Sequence, residues 1–563
     1  MPTTEHLNIP TYEQFDEHLR LLGIIAGNGA DDAILDSIIT ATVNGENTTR
    51  LFWAWFPLAL ANQQSADRYA LLDRFFAALA KGWDKTYTLR SYDPSVSTSS
   101  EMTPLDDLAG KSAGLLCTEI STSYTHWMDE DPMYWYIRAN ALSLTDGTMN
   151  ILYFEGEDGF DITGQLAPVY TFKMAKWVKD WGDDSYDYIS WRATQAAGYR
   201  PYAGDVAPDN SKRHLTWLPT FPGGLNASGG LTSGAGLPAY NLKSASDGIT
   251  AARITTAYEG LWNDCDTIQA LHDWRFRHFD LENSNILEGC TNYNHDYTPA
   301  VAETGVERVI LTPAQAANLI AGSTVSLTAT ARASTGAFTM KKIKSITAVE
   351  ISNTTYAAVN IDNGGTTFDT DTTMHLCTMP WHSGATEAVP GHADGCTGSL
   401  TAGKTPIRVG GVEYMHGAYD VGLDPLYNVT AATDGVSTHK HYAVYECRDS
   451  VKLATSITAN YVNTGIAYEN MPEGWQYVKA FVRTPLGILF PKLIDGGSAK
   501  CVKSAFNGAN SAGVRCPWRF GDLSNGGYAG LACEHGNGAP SISAWSSRPR
   551  LSGAGKKRGE WAA

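Results

Sequence analysis

The chain has 563 residues and a formal net charge of −17 at pH 7, a length beyond that of a single domain. An apolar content of 43%, with 11% aromatic residues, excludes wholesale disorder. So acidic a body argues against nucleic acid as a partner, and a charged fraction of only 18% suits a loop- and strand-rich structural protein better than an ordinary cytosolic enzyme.

The opening MPTTEHLNIP has neither a basic stretch nor an apolar run, so no secretory signal is expected. Tyr12, Phe15, Leu19 and Leu22 recur at helical spacing. Residues 67–80 repeat the signal through Tyr69, Leu72, Phe76 and Leu79, with Gly82 as the stop. Between them the aromatic run LFWAWFP at 51–57 reads as core. The apolar stretch 51–61 is too short, and too broken by Pro57, to span a membrane, so no membrane insertion is expected. A turn-rich stretch at 91–103 closes a helical N-terminal region, 1–100.

Residues 104–304 read as an irregular α+β body. Its Trp/Tyr-rich part is interrupted by Asp129-Glu130-Asp131-Pro132. Adjacent carboxylates point to different faces of an extended segment, unlike the two acids facing across a glycosidase cleft. The Gly/Ser-rich patch at 222–238 reads as a long surface loop. Residues 264–279 follow as a helix, with Ile268, Leu271 and Trp274 along one face. Trp262-Asn263-Asp264 spells a calcium-ligand triplet of sugar-binding lectins, but beside a helix start Asn is more simply an N-cap.

Residues 305–375 read as a small β-rich inserted module. Thr312, Pro313 and Gln315 form a capping box ahead of Gly322, and strands are expected at 324–332 and within 343–361. A β-rich body, 376–499, leads to the C-terminal part, 500–563. His439 and His441 alternate as strand neighbours do and could join His375, His382 or His392 at a metal, but no ligand spacing is diagnostic. Nine cysteines without a C-x-x-C pair point to synthesis in a reducing cytosol, and Cys516 and Cys533 read as small buried residues. No G-x-S-x-G, P-loop or H-E-x-x-H motif occurs. No catalytic residue, metal or cofactor is expected.

The most informative segment is 518–551, WRFGDLSNGGYAGLACEHGNGAPSISAWSSRPRL. Six glycines punctuate it and permit tight turns, while aromatic and small polar residues between them are those of recognition surfaces. From Lys500 onward nine Lys/Arg face three acidic residues, so a basic tip could meet an anionic surface polymer. Lys556, Lys557 and Arg558 read as a solvated tail.

This segment resembles the C-terminal C-type-lectin-like domain of phage tail receptor-binding proteins, including the major tropism determinant and other targets of diversity-generating retroelements. The resemblance rests on Arg519 to Gly521, on Gly526-Gly527-Tyr528-Ala529-Gly530, on Asn537-Gly538-Ala539-Pro540-Ser541 and on Arg548-Pro549-Arg550-Leu551. Leu523 departs from it, standing where relatives usually have Trp, and the segment 543–547 is shorter than usual. The segments 281–294, 377–384 and 401–421 are similar to those of gut-phage tail proteins.

The resemblance implies a multidomain α+β virion component ending in a C-type-lectin-like fold. It would be made in the host cytoplasm and carried on the virion tail. It would recognise a host cell-surface receptor, protein or polysaccharide, and would bind other phage tail proteins as a homotrimer attached through its N-terminal region. The ligand-facing positions would be Asp522, Ser524, Asn525, Tyr528, Glu534, His535, Asn537, Ile542, Ser543, Trp545 and Ser546, with Tyr528, His535 and Trp545 exposed as anchors. In retroelement targets such positions vary through mutated adenines, and many of these residues are reachable from an Asn codon. The alternatives are a tail-associated polysaccharide-degrading enzyme and a purely structural baseplate component.

Overall fold

The computed structural model describes residues 48–62, 67–94, 96–119, 126–483, 486–495, 504–552 and 557–561. The helical repeat expected at 12–22 lies outside them. The chain is α+β, 15% helical and 35% strand, so strands carry the architecture.

The aromatic run lies inside a helix, Thr48–Asn62. Phe52, Trp55, Phe56 and Ala59 fall on one face of it and are buried, while Pro57 is exposed. The next helix, Arg68–Gly82, starts where Asp67 accepts from the Ala70 amide at 3.1 Å. Phe52 meets Phe75 at 5.2 Å and Phe154 at 5.3 Å between ring centroids. Such pairs add roughly 0.5–1.5 kcal/mol each beyond the area they bury. These rings fasten both helices to a four-stranded sheet ordered Met149–Phe154, Tyr136–Ser143, Val169–Met174, Leu215–Pro219.

The boundary expected near residue 100 does not separate two cores. Thr86–Tyr92 pairs along its whole length with Tyr186–Arg192 in a five-stranded sheet. A single apolar core runs from Leu51 to Leu551 and also crosses the boundaries expected near 376 and 500. The span 305–375 does carry its own cluster, from Val309 to Leu376. It lies in a six-stranded antiparallel sheet with a long hairpin of Phe338–Ile351 and Thr354–Asp362. The Thr312–Gln315 capping box is present, on a helix of one turn, Pro313–Ala316.

The helix Asp264–His278 is the hub. Asn263 caps it, accepting from the Asp266 amide at 2.9 Å, and Phe279 ends it in the left-handed region at φ 53°. The triplet is thus an N-cap. All fifteen residues are buried, polar ones included, so each charge needs a partner. Lys173 reaches Asp273 at 2.5 Å, His278 reaches Asp394 at 2.8 Å, and the Ser552 hydroxyl donates to Asp266 at 2.8 Å.

The Gly/Ser patch is a packed hairpin, Gly223–Leu225 with Leu231–Ser233, and not a long surface loop. Its glycines serve close approach. A Cβ on Gly223 would lie 2.2 Å from the Pro549 carbonyl oxygen, and one on Gly234 would lie 1.9 Å from that of Thr163. The C-terminal part is short strands and turns. Trp518–Arg519 runs antiparallel to Tyr419–Val421, and Ser547–Pro549 runs parallel to it. Trp518 and Leu551 are buried. No helix of the described residues is long and apolar enough to cross a membrane.

Candidate ligand-binding face

Among the described residues, the arginines of the C-terminal part are internal. Arg519 is fully buried between Asp264 and Glu534, the latter at 2.8 Å. Arg548 and Arg550 both hold Asp420, each at 2.9 Å. Arg558 is buried against Asp424 at 3.1 Å and Glu446 at 3.5 Å. These four arginines pair with buried carboxylates, because burial demands neutralisation, so they form no basic tip and Arg558 is not the solvated residue expected; Lys500, Lys503 and Lys556 lie outside the described residues. Lys557 alone of the described tail cations is exposed.

Two expected ligand-facing residues are likewise interior. Glu534 is 2% exposed and bound to Arg519; burial pushes its carboxyl up to about 7. Asp522 is 6% exposed and accepts from the Ser524 amide and hydroxyl, both at 2.8 Å, which closes a tight turn. Asn525 accepts from the Asp522 amide at 2.7 Å and bonds the Tyr419 hydroxyl.

Around these turns an aromatic face assembles. Tyr528, on the single turn Gly526–Tyr528, stacks on Trp475 with ring centroids 5.1 Å apart and planes 11° from parallel. Tyr477 approaches Tyr528 at 5.3 Å. His535 lies between Trp518 at 5.4 Å, Tyr419 at 5.4 Å and Trp475 at 5.9 Å. This enclosure strips water from the ring and lowers its pKa to about 4, so His535 is neutral at neutral pH. The Tyr419 amide donates to the Ser546 carbonyl at 2.8 Å, which ties the last loop to the same place.

Tyr528, His535 and Trp545 are half-buried with ring partners, where the sequence leads one to expect unpartnered anchors. Trp545 is covered by the Arg332 guanidinium, 4.5 Å from its ring centroid, and packs against Tyr293, Trp381 and Leu523. Ser524, Ile542 and Ser543 are exposed, and Asn525, Asn537 and Ser546 are half-buried. The structure thus gathers Asp522, Asn525, Tyr528, His535 and Ser546 about Tyr419 and Trp475, while Ile542 and Ser543 occupy the adjoining turn. Trp475 and Tyr477 are the members the sequence reading missed. Their i, i+2 spacing within Gly474–Phe481 puts both on one face of that strand.

The histidines do not converge. His439 reaches Asp434 at 2.6 Å, His441 reaches Glu469 at 3.1 Å and His375 reaches Asp296 at 3.0 Å. Among the described residues no group of three or more His, Cys, Asp and Glu side chains could hold a metal. The described cysteines are free thiols, and Cys516 and Cys533 are buried. No family model matches the chain, and no curated protein matches its sequence.

Proposed function

We propose that this chain is a bacteriophage tail-tip receptor-binding protein whose C-terminal part, a C-type-lectin-like domain, presents the receptor-binding face. The observation that carries the reading is the half-exposed aromatic face of Trp475, Tyr477, Tyr528 and His535, built where glycine turns bring separate segments together. Preformed aromatic surfaces bind at low entropic cost. The motif residues Arg519, Arg548, Arg550 and Leu551 are buried as scaffold, and nine of the eleven expected ligand-facing residues between them, all but Asp522 and Glu534, reach the surface, a division suited to varying one set without disturbing the other. The face is uncharged where His535 is neutral, so the ligand it fits is a neutral saccharide or peptide surface that packs on π-faces.

The chain acts as a homotrimer anchored to other tail proteins through its N-terminal region, since linked copies gain roughly 10²–10⁴ in avidity on a repetitive surface. The test is adsorption of the purified chain to a panel of bacterial strains. The double substitution Trp475→Ala, Tyr528→Ala abolishes adsorption while melting temperature and light-scattering mass stay near those of the parent. Undiminished adsorption by a folded double variant overturns the assignment of this face.

A further inference from the structure

A second concavity, with none of Trp475, Tyr477, Tyr528 and His535 in its lining, lies where the module 305–375 meets the body. It encloses about 560 Å³, within the roughly 300–1,000 Å³ of small-molecule sites. Three segments line it: the turn 320–322 with Lys342 from the module, residues 381–385, and the loop 397–405.

The lining is one-sided in charge. Lys342 and Lys404 both face the cleft, and no Asp or Glu lines it, in a chain whose net charge is −17. Neither amine belongs to an ion pair among the described residues. The carboxylate behind the wall, Glu413, is occupied: it accepts from the Gly384 and Thr386 amides at 2.7 Å each and contacts His416. His382 is held by the Met340 carbonyl at 2.8 Å, so the lysines are the cations. The hydroxyls of Thr397, Ser399 and Thr405 complete a polar lining, while that of Ser383 is committed to the Gly234 carbonyl and the Leu237 amide. The Trp381 indole N–H donates to the Lys404 carbonyl at 3.1 Å and so fixes the loop that carries one of the two amines.

We propose that this cleft binds an anionic saccharide, a hydroxylated ring or polyol bearing a phosphate or a carboxylate. Two lysines lining one cleft, neither in an ion pair among the described residues and with no carboxylate in the lining, favour an anionic group. The hydroxyls match the donors and acceptors of a sugar, and the volume holds one or two such units. The buried C-terminal arginines cannot serve such a ligand, whereas these lysines can. This inference stands independently of the aromatic face.

Calorimetric titration of the full chain with glucose 6-phosphate, glucuronate and glucose tests it. One or both anions bind saturably and glucose does not; the stronger anion tells phosphate from carboxylate chemistry. Lys342→Gln with Lys404→Gln weakens that binding at least about tenfold, as expected for losing charge-assisted hydrogen bonds, and Lys404→Arg restores part of it. Raising NaCl from about 50 to 300 mM weakens binding to the unaltered chain, a readout that holds even where a lysine variant folds poorly. Trp475→Ala with Tyr528→Ala leaves it unchanged. Absence of saturable binding by both anions, or equal binding by the folded double lysine variant, overturns the proposal.

Discussion

Glu259 offers a sharp test of how this interior handles charge. It is 1% exposed. The Tyr170 hydroxyl donates to Oε2 at 2.9 Å and the Ser143 amide donates to Oε1 at 3.3 Å, and no cation pairs with it among the described residues. Burial therefore pushes its carboxyl from 4.5 up to about 7. The folded chain then holds this proton more tightly than the unfolded chain does. The resulting stability is full below about pH 4.5 and is lost as pH rises through about 7. At about 1.4 kcal/mol per pKa unit, stability should fall by about 2–3 kcal/mol between roughly pH 5 and pH 8 through this group. Glu259→Gln keeps an acceptor for Ser143 and removes the titration. Tryptophan fluorescence during urea unfolding at the two pH values should show the variant gaining that amount relative to the parent on going to pH 8. Parallel pH profiles for the two chains would refute the reasoning.

Three further outcomes are expected. Arg558→Ala leaves Asp424 buried without its arginine and Glu446 with Arg448 alone and should cost about 3–5 kcal/mol, read as a lower melting temperature and earlier proteolysis near residue 558. Gly234→Ala forces a Cβ to within 1.9 Å of the Thr163 carbonyl oxygen and should lower the melting temperature by several degrees; an unchanged value would mean that the hairpin does not pack there. Leu523→Trp, which installs the residue usual in the resembling domains, should cost about 1–3 kcal/mol in urea unfolding, because Leu523 is fully buried against Cys290, Tyr293 and Trp381.

What was legible in the sequence was local chemistry. Asn263 and Thr312 announce helix starts because a cap acts within three residues of itself. What escaped was long-range. Composition alone cannot tell a glycine that loosens a loop from one that lets Pro549 approach, and Gly223 is of the second kind. A cluster of basic residues looks like a solvated tail until its acids appear, and those of Arg558 lie 134 and 112 positions away, at Asp424 and Glu446. The glycine turns of the candidate face were legible in the sequence. Trp475 was not, since its partner Tyr528 comes from a separate strand-and-turn region.

The hub helix sets the order in which the molecule is completed. Its N-terminal turn is closed by Ser552, which bonds Asn263 across 289 positions, by the Arg550 carbonyl accepting from Trp262, and by Leu551 bridging Leu261. During synthesis this helix emerges with a fully polar-and-apolar surface whose final partners have not yet been made. Such high contact order slows folding and leaves incomplete chains with exposed apolar surface. A ribosome that stalls, or a frameshift, before residue 550 should therefore yield material that aggregates or is degraded rather than a shortened protein. The cell is thereby offered a check that each copy carries the segment that closes this helix.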